Sequence, residues 1–113
     1  MAEDKFLEAL TALEHTLADN QKRTSLIRTR IAQLRRMRSQ GAPYAEIVST
    51  SDGPLIVQLL TESSAALDRS GASVRRAEAS ALHAEGLTMD QIAERFGVTR
   101  QRVSALLRKA RDQ

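Results

Sequence analysis

"LTMDQIAERFGVTRQRVSALLRKAR", residues 87–111, carries the signals that decide the fold. Thr88 stands three residues before Gln91, a capping-box spacing that starts a helix over MDQIAERF. Gly97 is placed to take a left-handed turn, and Thr99 caps a second helix that runs to about Arg111. A small residue, Ala93, lies where two such helices cross. Ile92, Phe96, Val98, Val103 and Leu106 take the inner corners, with Val98 expected to plug the space between the helices and Leu107 widening the inner face. All these requirements met in one stretch predict a helix-turn-helix.

The second helix has a chemical bias as well. From Thr99 to Arg111 it holds five basic residues, Arg100, Arg102, Arg108, Lys109 and Arg111, and no acid. With Val103, Leu106 and Leu107 inward, the outer face presents Arg100, Gln101, Ser104, Ala105 and Arg108 as candidate base readers. Glutamine pairs bidentately with adenine, arginine with guanine, and the alanine methyl meets a thymine methyl. Arg102, Lys109 and Arg111 are expected to neutralise phosphates, and so are Thr88 and Thr99 at helix starts, where N–H groups point outward. The alternative is the solvated basic end of a small bundle. An acid-free outer face is not something a purely structural unit requires.

The stretch resembles the helix-turn-helix of the fourth region of bacterial sigma factors, where patterns of the type LTxxxIAxxFGVTRxRVxxL recur. The resemblance covers residues 75–111 at most, and the other sigma regions are not seen. It implies binding of duplex DNA through the second helix in the major groove, in transcriptional control, with Arg100, Gln101, Arg102, Ser104 and Ala105 at the contacting positions. Sigma factors more often carry an acid where Gln101 stands and larger polar residues where Ser104 and Ala105 stand. Sequence preference is therefore expected to differ from theirs.

Working towards the N-terminus, Phe6, Leu10, Leu13, Leu17, Asn20, Thr24, Ile27, Ile31, Leu34 and Arg38 follow a 4-3-4-3 spacing, a heptad seam with polar layers at Asn20 and Thr24. Leu7, Leu26 and Met37 broaden it, and Gly41-Ala42-Pro43 ends it. Asn20 is a weak helix breaker, so one long helix is favoured over a hairpin broken at Asp19-Asn20-Gln21. Residues 1–20 hold Glu3, Asp4, Glu8, Glu14 and Asp19 against Lys5, and residues 22–38 hold Lys22, Arg23, Arg28, Arg30, Arg35, Arg36 and Arg38 with no acid. Antiparallel pairing of two chains sets these halves against each other, whereas parallel pairing aligns like charges. The expected dimerisation residues are Phe6, Leu10, Leu13, Leu17, Ile27, Ile31 and Leu34. The basic run itself is read as a solvated face answering the acidic half.

Between these parts, YAEIVS after Pro43 reads as a short helix, TSDG as a turn, and Pro54 as the start of a helix through LIVQLLTESSAALDRS whose broad apolar set places it centrally. Gly71 is expected to end it, and 73–86 to form a separate helix with Val74, Ala77, Ala81 and Leu82 inward, closed by Gly86. Arg75 and Arg76 would then oppose that helix's dipole and call for compensation by phosphate, Glu78 or Asp68. Ile47, Val48, Ile56 and Leu59 are expected to pack as core rather than to line an effector pocket.

The expectation for the whole is an all-α chain of 113 residues. A long N-terminal helix, paired as an antiparallel coiled coil or a helical bundle, is followed by short helices and a C-terminal helix-turn-helix. Residues 1–70 would form a helical dimerisation part and 72–112 the DNA-binding module. The chain has no cysteine, and its two histidines, His15 and His83, lie far apart, so no metal or cofactor site is expected. No Ser/His/Asp set, phosphate loop or paired carboxylates point to an enzyme. A formal charge of +3 says less than its distribution. Without an export or spanning segment, a cytoplasmic protein is expected. Its partners are duplex DNA and a second copy of itself. The alternatives are a non-specific nucleoid-type binder and an adaptor contacting RNA polymerase or another regulator.

Overall fold

The computed structural model describes residues 4–49 and 55–112. Five helices follow in order, α1 Lys5–Ser39, α2 Tyr44–Ser49, α3 Ile56–Ala84, α4 Met89–Phe96 and α5 Arg100–Arg111, with no strand among the described residues. The all-α expectation holds. By contacts the chain divides into two compact units, residues 1–14 with 68–113 and residues 15–67.

The N-terminal heptads form one unbroken helix rather than a hairpin. Asp4 caps it, its Oδ1 accepting from the Leu7 N–H at 3.1 Å. At the far end the Ala42 N–H returns to the Met37 carbonyl at 3.2 Å beyond Gly41, a Schellman-type closure. Of the seam residues, Phe6, Leu10, Leu13, Ile27, Ile31 and Leu34 are half-buried within the chain, and Leu17 remains 51% exposed.

Polar contacts of unit 15–67 explain the first basic stretch. The Asn20 amide donates to the Ser63 carbonyl at 3.2 Å, the Arg23 guanidinium donates to Asn20 Oδ1 at 2.7 Å, and Arg23 also pairs with Glu62 at 3.5 Å. Arg30 reaches the Ile47 carbonyl at 3.4 Å, and Arg38 lies 4.0 Å over the Tyr44 ring. The basic half of α1 is thus answered by α2 and α3 of its own chain, not by the acidic half of α1. Ile47 and Leu59 are the buried apolar residues of this unit, at 2% and 4% exposure.

The expected break at Gly71 does not occur. α3 runs through it to Ala84, so residues 73–86 are not a separate helix. A glycine inside a helix costs only about 1 kcal/mol. The alanines, arginines and leucine around it favour helix, and no proline stops the chain. Arg75 and Arg76 therefore lie mid-helix, where the dipole penalty expected of them does not arise. Nor is α3 enclosed on all sides: Val57, Leu60 and Leu67 are 65%, 51% and 45% exposed. The TSDG turn, Pro54 and the Val48 side chain lie outside the described residues.

Candidate nucleic-acid interface

α4 and α5 are fixed by caps at each start. Thr88 Oγ1 accepts from the Gln91 N–H at 3.2 Å while the Thr88 N–H donates to Gln91 Oε1 at 2.8 Å, the reciprocal box its sequence predicts. Gly97 sits at φ 67, and the Val98 N–H then closes on the Ala93 carbonyl at 3.0 Å. Such a left-handed angle penalises any side chain. Thr99 Oγ1 accepts from the Arg102 N–H at 3.1 Å and starts α5.

Beneath these caps lies one apolar cluster. Ile92 and Val103 are fully buried, Leu106 and Ala93 nearly so at 4% and 7%, and Ala79 of α3 is wholly enclosed among them. Leu82, Leu87, Met89, Phe96 and Leu107 pack around it. Val98 does not: at 39% exposure it stands at the surface, because the turn after Gly97 carries its side chain away from the crossing. Ala79 takes the close position on α3, where Val74, Ala77, Ala81 and Leu82 are only half-buried. Three helices thereby hold α5 at a fixed angle, with its other side free of the chain.

That side is ordered in stripes. Gln101, Ala105 and Arg108, spaced by four and three, share one face of the helix. Arg102 and Lys109, seven apart, lie along one edge of it, and Arg100, Ser104 and Arg111 along the other. Gln101, Arg108 and all the edge cations are exposed, as are Thr88 and Thr99, whereas Ser104 and Ala105 are half-buried. The two threonine hydroxyls already accept within their own helix starts.

Two features beside the helix are not legible in the motif. Asp90 of α4 lies 3.7 Å from Arg100. Below the Ser104 edge, a hollow of about 320 Å³ is lined by Ser80, His83, Met89, Ser104, Leu107, Arg108 and Arg111. His83 Nδ1 stands 3.1 Å from the Leu87 carbonyl oxygen and ties the last turn of α3 to the segment before α4.

Residues 70–112 match the model of the homeodomain-like domain. This places the similarity on the last turns of α3 together with α4 and α5, the helix-turn-helix of the chain. The match is to this broader class and does not single out the fourth sigma region. No curated protein and no solved structure matches the chain. No helix among the described residues is long and apolar enough to cross a membrane.

Proposed function

We propose that this chain binds duplex DNA with α5 in the major groove and acts in transcriptional control, as a pair of chains on inverted half-sites. The observation that carries the reading is the ordering of α5: a central stripe of Gln101, Ala105 and Arg108 between two cationic edges. A helix in a groove meets base edges along its middle and a phosphate strand on either side. Gln101 and Arg108 supply the bidentate groups for bases, and Ala105 an apolar contact. Ser104 reads from the edge of the stripe, and Arg100 acts there too, at the helix start. Arg102, Lys109 and Arg111 take phosphates, with the helix starts at Thr88 and Thr99 presenting N–H groups. The sigma-like pattern of residues 87–111 supports a bacterial, cytoplasmic regulator without an enzymatic step.

The helical part, residues 1–70 by sequence, supplies the pairing of chains. Two modules on one two-fold dimer gain affinity through linked binding. Selection of bound duplexes from a random pool at stated salt tests the whole reading. An inverted repeat is the expected result. Sequence-independent retention that falls steeply with salt would instead indicate a nucleoid-type binder. No retention at all would indicate an adaptor for polymerase or another regulator.

A further inference from the structure

We propose that the outer face of α3 formed by Val57, Leu60, Ser64 and Leu67 packs antiparallel against the same face of a second copy of this chain. This deepens the pairing proposed above, and its test is read without DNA, so either idea can fail alone. The four residues follow a 3-4-3 spacing, the seam of a helix that packs on another helix. They lie opposite the side of α3 that faces α1, where Leu59 is 4% exposed and Glu62 pairs with Arg23. Val57, Leu60 and Leu67, at 65%, 51% and 45% exposure, leave a row of large apolar side chains in water within one short length of helix.

The spacing fits its own reversal. When α3 is turned end for end about the level of Glu62, Leu60 meets Ser64 of the second copy, and Val57 meets its Leu67. The serine leaves room for the leucine, so a large residue faces a small one at the layers nearest the axis.

Charge selects the same occupant and the same direction. α1 changes sign at Asn20, with Glu8, Glu14 and Asp19 before it and Lys22, Arg28 and Arg35 after it. The Asn20 amide is bonded to the Ser63 carbonyl, so this change of sign lies level with the centre of the α3 face. A two-fold axis there brings the acidic half of one α1 to the level of the basic half of the other. Parallel pairing aligns like with like, which costs attraction and adds repulsion.

The measurement is the solution mass of the full chain by light scattering, with helicity followed by circular dichroism. The wild type is expected at the mass of two chains, and Leu60→Lys with Leu67→Lys at the mass of one, with helicity kept. Ser64→Lys, which removes no apolar group, is a second breaker should the double variant lose its fold. Leu26→Lys, at a site 53% exposed on α1, is expected to stay dimeric. A monomeric wild type, a dimeric Ser64→Lys, or a monomeric Leu26→Lys overturns the proposal. Direction is read by oxidation, since the chain has no cysteine of its own. Leu60→Cys mixed with Ser64→Cys is expected to give a cross-linked dimer that neither forms alone. Cross-linking of Leu60→Cys by itself means parallel pairing and overturns the antiparallel arrangement.

Discussion

Arg100, the first residue of α5, has its guanidinium 3.7 Å from the carboxylate of Asp90, the second residue of α4. The pair lies on the surface, with side chains 61% and 74% exposed, and at such exposure contributes about 0.5 kcal/mol or less to stability. Its importance is positional. Asp90 holds a negative charge beside the cationic edge that would face a phosphate strand. For Asp90→Asn we expect an almost unchanged melting temperature and tighter DNA binding, by about two- to fivefold at low salt, with the gain shrinking as salt rises. Anisotropy titrations at two salt concentrations decide it, and weaker binding would mean that Asp90 serves the interface by orienting Arg100.

Readers and positioners should separate in their response to sequence. Gln101→Ala is expected to lose about 1–3 kcal/mol of discrimination at one base position while non-specific binding persists. Lys109→Ala should weaken binding to all duplexes alike and lower the salt slope by about 1. If Gln101→Ala leaves every duplex unaffected while Lys109→Ala weakens them, α5 binds DNA without reading it.

The caps and the core offer a stability series independent of DNA. Thr99→Ala should cost about 1 kcal/mol through loss of the bond to the Arg102 N–H. Leu106→Ala, at a site 4% exposed, should cost about 2–5 kcal/mol by leaving a cavity. Gly97→Ala meets no atom within 4 Å but is held at φ 67, so about 1–2 kcal/mol of backbone strain is the whole expected effect. Urea denaturation of the three variants gives the order, and a Gly97→Ala loss as large as that of Leu106→Ala would contradict it.

Gly71 should behave in the opposite sense. It lies inside α3, and an added methyl would meet only the flexible end of Arg75, at 3.3 Å. Gly71→Ala is therefore expected to stabilise by about 0.5–1 kcal/mol. A thermal melt that moves down instead of up would show that the position needs close approach by another group.

The comparison between Gly97 and Gly71 shows how far the sequence carries. Around Gly97 the decisive signals are local: Thr88 with Gln91, the glycine itself and Thr99 each act within four residues, so the caps and the inner residues were legible. At Gly71 the outcome depends on the strength of the helix on both sides, which no single residue signals. Val98 was misplaced because its direction follows from the turn geometry rather than from its apolar character. Asp90 and Arg100 are ten residues apart and meet only once the two helices cross. In α3, apolar spacing marked every face that could be covered. It did not distinguish the face that α1 covers from the one left in water.

The bond from Asn20 to the Ser63 carbonyl has a consequence for how uniquely the helices align. Leucines and isoleucines tolerate sliding by a turn, because one apolar side chain replaces another. An amide that must find a carbonyl does not, and Arg23 with Glu62 fastens the same level. Asn20→Leu is thus expected to raise the unfolding free energy yet broaden the amide spectrum, as several alignments become nearly equal in energy. In this chain a single polar contact trades strength for a defined alignment.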